Sequence, residues 1–193
     1  MQTKSESKAE AVLQAIRDAA KENFLPIIDY SAGGKGEFLE KLVRKKKPRM
    51  VLEIGTLVGY SAIKIIRNLP KDSKLVTLEV NPASASVAKQ NLKRAEMDGK
   101  ATIVVGSALK TIPKLKGKFD FVFIDAAKED YINYLLLLEK HRLLDKKATI
   151  LADNVKMFKA EVADYLEYVR TTGGYKSSYH DFGEDAMEVS ERR

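Results

Sequence analysis

Four polar residues in the second half of the chain have the types and spacing to hold a hard cation beside a base. Asp125 ends the apolar run Phe121 to Ile124, and Asp153 with Asn154 ends the run Ile150 to Ala152. If these runs are neighbouring strands, their tips lie roughly 4.8 Å apart. Two carboxylates and a carboxamide oxygen then converge on one small volume, and like charges that close repel unless a cation sits between them. An all-oxygen set suits magnesium, manganese or calcium, whereas zinc favours imidazole and thiolate. Lys128 follows Asp125 closely enough to reach the same place if the chain turns into a helix there. Cations beside it favour the neutral amine, which is what a general base needs. Glu129 and Asp130 read as acids of a helix's first turn.

A second group sits at the ends of two earlier apolar runs. The first ends in Glu53-Ile54-Gly55-Thr56-Leu57-Val58-Gly59-Tyr60-Ser61. Its two glycines permit a tight turn and close approach of a ligand to the backbone, and Ser61 is a candidate cap for the next helix. This is not the three-glycine pattern that holds a dinucleotide pyrophosphate. The next run ends in Glu79-Val80-Asn81-Pro82. A carboxylate at that tip can accept both hydroxyls of a ribose, tolerates a cationic cofactor and repels a 2′-phosphate. An adenosine without phosphates fits.

The elements that must position these groups follow from periodicity. From Met50 onward, runs at Met50–Ile54, Lys74–Val80, Ala101–Val105, Phe119–Ile124 and Ala148–Ala152 alternate with stretches at helical spacing. Near-continuous β-branched and aromatic runs of this kind predict a parallel sheet covered on both faces, a doubly wound α/β domain. Tyr175–Phe182 and Ala186–Ser190 are joined only by a Gly-Glu-Asp turn, which predicts an antiparallel hairpin closing the sheet. Two extra helices precede the repeating part. In the first, Ala9, Val12, Leu13, Ile16, Ala19 and Ala20 recur at helical spacing before Asn23 and Pro26. The second follows Gly33-Gly34-Lys35-Gly36, buries Phe38, Leu39, Leu42 and Val43, and ends at Pro48. Residues 1–48 are thus expected to pack on a core of residues 49–193 as one structural unit.

The 193 residues suit one globular domain, and no apolar run approaches the ~20 residues of a membrane span. Met1 to Ser7 offer no apolar secretion signal. The chain has no cysteine, which excludes disulfides, thiolate metal sites and cysteine nucleophiles, and a cytoplasmic protein is expected. The net charge of +7 allows attraction to nucleic acid. Much of it comes from Arg44-Lys45-Lys46-Lys47, Arg49 and Arg192-Arg193, which also read as solvated ends.

Together these motifs resemble the S-adenosylmethionine-dependent, divalent-metal-dependent O-methyltransferases, a family that includes catechol O-methyltransferase and the caffeoyl-coenzyme A enzymes. The carriers are Val51-Leu52-Glu53-Ile54-Gly55-Thr56 with Gly59-Tyr60-Ser61, Glu79-Val80-Asn81-Pro82, Phe123-Ile124-Asp125 with Lys128, and Leu151-Ala152-Asp153-Asn154-Val155. Leu137-Leu138-Glu139-Lys140 and Asp185-Ala186-Met187-Glu188 look closest to the catechol enzymes. The resemblance implies a Rossmann-like methyltransferase sheet. It also implies that Glu53, Gly55, Gly59, Tyr60 and Ser61 line the methionine and adenosyl pocket. Ser31 would lie near its entrance, Glu79 would hold the ribose, and Val80, Ala108 and Asp125 would complete the cofactor contacts. Asp125, Asp153 and Asn154 would bind Mg2+, with Mn2+ or Ca2+ as alternatives. Lys128 would take the proton of the attacking hydroxyl, and Glu188 would accept a hydrogen bond from its neighbour.

Departures from the family pattern concern the acceptor. Ala126 and Ala127 stand where larger residues are common, Gly106-Ser107-Ala108 lacks an acid, Lys156-Met157-Phe158 looks like a short substrate loop, and the chain has no tryptophan. Met157 and Phe158 can form an apolar wall for a planar ring. The acceptor expected is a small aromatic diol. The alternatives are a hydroxylated wobble uridine in tRNA, methylated by the same chemistry, and a non-catalytic S-adenosylmethionine-binding protein. The N-terminal helix can cover its own domain or a partner's in a homodimer. His141 and His180 read as structural or exposed, with His180 the nearer to the substrate side.

Overall fold

The computed structural model describes residues 4–29 and 34–193. Seven strands form one sheet: β1 (Met50–Ile54), β2 (Lys74–Glu79), β3 (Ala101–Val105), β4 (Phe119–Ile124), β5 (Leu144–Ala152), β6 (Tyr175–Asp181) and β7 (Ala186–Arg192). Their order across the sheet is β3-β2-β1-β4-β5-β7-β6. The first five run parallel, whereas β7 is antiparallel to both β5 and β6. This is the doubly wound sheet with a closing hairpin that the apolar runs predict. Helices α1 (Lys4–Asn23), α2 (Lys35–Lys46), α3 (Tyr60–Ile66), α4 (Pro82–Arg94), α5 (Ala108–Thr111), α6 (Tyr131–Lys140) and α7 (Ala163–Thr171) cover its faces.

The strands read as continuous apolar runs because both faces are covered. On one face Val51, Phe121, Phe123, Leu151 and Met187 pack with Leu13, Ile16, Leu39, Val43 and Ile63, so α1, α2 and α3 share one core. On the other, Leu52, Ile54, Val122, Ile124 and Ile150 pack with Tyr131, Leu135, Leu138, Tyr165 and Val169 of α6 and α7. Four strands differ from their sequence reading: β2 and β6 each end one residue earlier, β7 runs on to Arg192, and β5 differs most. β5 starts at Leu144 rather than Ala148, because Leu144 pairs with Phe119 ahead of a register shift, and exposed Asp145, Lys146 and Lys147 hide that start. Among the described residues no helix is long and apolar enough to cross a membrane.

After β3 at one edge, the chain returns to lay β4 against the other side of β1. Ligands of open α/β sheets bind at such a reversal, outside the carboxyl ends of the strands. The crevice expected is therefore between the loops after β1 and β4.

Buried charge ties the N-terminal helices to this sheet. The Lys64 ammonium on α3 lies 2.9 Å from Asp29 and 3.5 Å from Glu40 of α2. Arg67 joins Glu40 to Glu10 of α1, and Arg17 also holds Glu10. The Tyr60 hydroxyl accepts from Arg17 at 3.0 Å and donates to Asp29 at 2.7 Å. Removing one partner of a buried pair leaves an uncompensated charge. Lys64→Met is accordingly expected to lower unfolding stability by about 3 kcal/mol in urea titrations; a loss below about 1 kcal/mol would mean that water reaches Asp29 and Glu40.

Candidate active site

The loop after β1 is shaped by two glycines. Gly55 has φ +99°, and a Cβ there would stand 2.0 Å from the backbone oxygen of Asp125, so no side chain fits. Gly59, at φ 84°, is the residue from which α3 starts. Ser61 is therefore the second residue of the helix and not its cap, because the left-handed turn at Gly59 starts the helix earlier than a serine cap would.

The carboxylate of Glu79 closes this loop onto the next strand. One oxygen accepts from the amides of Leu57 at 2.7 Å and Thr56 at 3.2 Å, and the other from that of Asn81 at 2.8 Å. Asn81 in turn caps α4 by accepting from the amides of Ala83 and Ser84. Beneath the loop, fully buried Glu53 accepts a 2.5 Å hydrogen bond from the Thr77 hydroxyl. Its other oxygen, Oε1, has no partner among the described residues. Burial pushes the Glu53 carboxyl up to about 7 against the hydrogen bond from Thr77, and the carboxylates of Asp125 and Glu79 push the same way.

The second half of the site stands on β4 and β5. Ile124 pairs with Ala152, which sets Asp125 and Asp153 side by side, and the Asp153 amide donates to Ile124 at 3.0 Å. A short 3₁₀ turn at residues 128–130 brings Lys128 back so that its ammonium donates to Asp125 Oδ1 at 2.7 Å. The same ammonium lies 5.3 Å above the Tyr131 ring and 5.7 Å above the Phe158 ring. Asn154 adopts φ 61°, a left-handed conformation that asparagine tolerates better than most residues.

Two residues to which the sequence assigns no site role, Lys35 and Asp185, complete the cluster. The Lys35 ammonium, at the start of α2, donates to Asp153 Oδ1 at 2.8 Å and to Asp185 Oδ2 at 2.7 Å. Asn154 Nδ2 donates to the same Asp185 oxygen at 2.6 Å. Asp153 is buried, and burial with the nearby Asp125 carboxylate pushes it up to about 7 although Lys35 opposes this. Burial works against Asp185 also, but Lys35, the Met157 amide and Asn154 outweigh it and hold the carboxyl down to about 2. The pattern of Asp185 in a Gly-Glu-Asp turn is that of any hairpin. Only the pairing of β7 with β5, which makes the Val155 amide donate to Ala186, brings it beside Asp153.

Both halves line one cavity of about 880 Å³. Of the residues expected for the cofactor, Gly55, Tyr60, Ser61, Glu79, Val80, Ala108 and Asp125 line it. Glu53 and Gly59 are not on its wall, and Ser31 lies outside the described residues. Lys128, Asp153 and Asn154 are on the wall, as are Ala126, Ala127, Met157 and Phe158. Glu188 is not brought there. It is 1% exposed, its two oxygens accept from Arg170 of α7 at 2.8 and 2.7 Å, and strand alternation turns it to the face that Tyr165 covers. His180 stacks on Phe38 at 4.5 Å and is also off the cavity wall.

A sheet of this order, with a glycine-turned first loop and an acid at the end of the second strand, defines a Rossmann-like α/β fold with its ligand crevice at the strand ends. Residues 2–172 match the profile of the O-methyltransferase family, and the chain belongs to that family. It is 36% identical over 160 residues to mouse (Mus musculus) catechol O-methyltransferase, covering 80% of this chain and 60% of the mouse protein. Zebrafish (Danio rerio) catechol O-methyltransferase B is 40% identical over 167 residues, 81% of this chain and 62% of that protein. The chain thus spans roughly three fifths of the length of these two relatives. The O-methyltransferase from Bacillus cereus, solved in complex with SAH, superposes with a TM-score of 0.82 at 28% identity, covering 97% of this chain and 91% of that one.

Two outcomes follow from the buried carboxylates. A glutamate raised from its ordinary value near 4.3 to about 7 binds more protons folded than unfolded, so it lowers stability as pH rises between those values. Glu53→Gln is expected to flatten the fall in urea-unfolding stability from pH 4.5 to 7, by up to roughly 1 kcal/mol per pH unit. An unchanged slope would place the proton elsewhere. Glu188→Ala removes two charge-assisted bonds and is expected to destabilise the protein by about 2 kcal/mol. A melting temperature equal to that of the parent would contradict the role assigned to the Arg170 pair.

Proposed function

We propose that this chain transfers a methyl group from S-adenosylmethionine to one hydroxyl of a small catechol-like aromatic diol, with a bound divalent cation, magnesium or manganese. The observation that carries the reading is the Lys128–Asp125 pair, 2.7 Å apart, on the wall of the same cavity as Asp153, Asn154 and the Gly55 loop. A base, hard oxygen donors and a cofactor-type loop thereby face one space. The SAH complex of the Bacillus relative supports the cofactor, and the catechol enzymes among the relatives support the acceptor.

The donor set fits a hard dication. Asp125, Asp153 and the carboxamide of Asn154 offer oxygen only, on adjacent strand ends. Among the described residues no cage of three or more acidic, histidine or cysteine side chains is preformed, so two carboxylates and the amide would share the ion with water and acceptor. A dication held there lowers the proton affinity of a hydroxyl beside it. S-adenosylmethionine supplies the methyl group as an electrophilic sulfonium.

The chain's own residues do the rest. Gly55 lets the end of β4 close against the loop after β1, which sets the distance from that loop to Asp125, and the unpartnered oxygen of Glu53 favours a cationic ligand nearby. Glu79 fixes the amides of Thr56, Leu57 and Asn81 and retains one lone pair, on Oε1, for a hydroxyl of the ribose. Met157 and Phe158 present apolar surface to the acceptor ring, and Ala126 and Ala127 leave room beside it. Lys128 is paired with Asp125 in the protein alone; with Asp125 given over to a dication it would lose that partner, and the neutral amine would take the hydroxyl proton at Nζ beside the Tyr131 and Phe158 rings. Holding the oxygen and the methyl carbon in line near contact supplies much of the rate.

The test is incubation with methyl-labelled S-adenosylmethionine and magnesium against a panel of catechols and undermodified tRNA. Label is expected on the diol, lost in chelator. Lys128→Met should lower turnover by about a thousand-fold, and Asp153→Ala should abolish metal-dependent turnover while leaving cofactor affinity intact. Full activity in chelator would sink the metal role. Label on tRNA would replace the acceptor, and cofactor binding without transfer to either would indicate a binding protein.

A further inference from the structure

Lys35 is in an unfavourable place for a cation. It is the first residue of α2, where the helix dipole repels positive charge, and Gly34 before it offers no side-chain cap. It is also 6% exposed. Two carboxylates compensate, Asp153 at 2.8 Å and Asp185 at 2.7 Å. Asp185 is anchored independently of Lys35, since it also accepts from Asn154 Nδ2 and from the amides of Lys156 and Met157. Asp153 Oδ1 has only the Asn154 amide besides Lys35. Its carboxylate is therefore the one that the ammonium chiefly neutralises.

We propose that Lys35 is a built-in counter-ion of Asp153 that competes with the dication for that carboxylate and so sets how tightly the protein holds its metal. The proposal rests on the metal reading given above. Two cations facing one buried carboxylate repel each other strongly, because little water screens them. When the dication takes Asp153, Lys35 keeps Asp185, whose four donors hold it in place. Lys35 is thus a positioning residue: it holds Asp153 ready in the metal-free protein and weakens the metal-bound state. Neutral replacements should have the opposite pair of effects, a less stable metal-free protein and a tighter metal site.

The experiment is calorimetric titration of Mn2+ into the full chain without cofactor or acceptor, comparing the parent with Lys35→Met, Lys35→Gln and Lys35→Arg, with Asp125→Asn as the site control. Melting curves with and without Mn2+ accompany each titration. The neutral variants are expected to bind Mn2+ at least about tenfold more tightly than the parent, a change of about 1.4 kcal/mol. Lys35→Arg, which keeps the charge, should stay within about threefold of the parent. The melting temperature of the neutral variants should fall without Mn2+ and rise more than the parent's with it. Lys35→Gln keeps a hydrogen-bonding group and supplies the answer if Lys35→Met does not fold. If the parent binds Mn2+ through Asp125 but the neutral variants bind it equally or more weakly, the competition is overturned and the metal site stands. If neither the parent nor any variant binds Mn2+, the metal reading itself fails and takes this inference with it.

Discussion

Two carboxylates on adjacent parallel strand ends, one of them fully buried, must have positive charge beside them if both are to stay ionised. The pairing of β4 with β5 creates this condition by setting Asp125 next to Asp153. The protein answers it with two cations. Lys128 returns from the turn after β4, and Lys35 arrives from an N-terminal helix, held in place by Asp185 of the hairpin turn, which Asn154 after β5 in turn supports. Each partner comes from a different part of the chain, so the cluster exists only when helices, sheet and hairpin are all in place.

The strands were legible because burial on both faces writes them as unbroken apolar runs, and the Gly-Glu-Asp turn marked the hairpin. The acids at strand ends were legible for the same reason, since a run of Phe, Val and Ile that stops at Asp points that Asp at the crevice. The roles of Lys35 and Asp185 are not written in local pattern, because they depend on register and long-range packing. Asp185 reaches Asn154 only because β7 pairs with β5 in one alignment, and Lys35 reaches Asp153 across 118 positions. Glu188 shows the reverse effect. It belongs to a recognisable segment, yet alternation along β7 turns it toward Arg170, and a shift of one residue would have turned it the other way.

The same contacts link stability to the site. Tyr60 presents its ring at the cavity while its hydroxyl sits between Arg17 and Asp29. Lys64, one turn further along α3, neutralises Asp29 and Glu40. The N-terminal helices are therefore joined to the cofactor-type loop by charge as well as by the apolar core. The two buried acids raised to about 7, Glu53 and Asp153, belong to β1 and to the turn after β5. Burial makes both costly to ionise, and positive charge brought beside them relieves that cost.

The contact between position 55 and the Asp125 carbonyl leaves no slack between the loop after β1 and the end of β4. A methyl group there would wedge the two apart, so the spacing from donor to acid behaves as a fixed gauge. Ala126 adjoins this contact and shares its constraint, whereas Ala127, Met157 and Phe158 line the cavity away from it. Side chains at those three positions can reshape the space without disturbing the gauge.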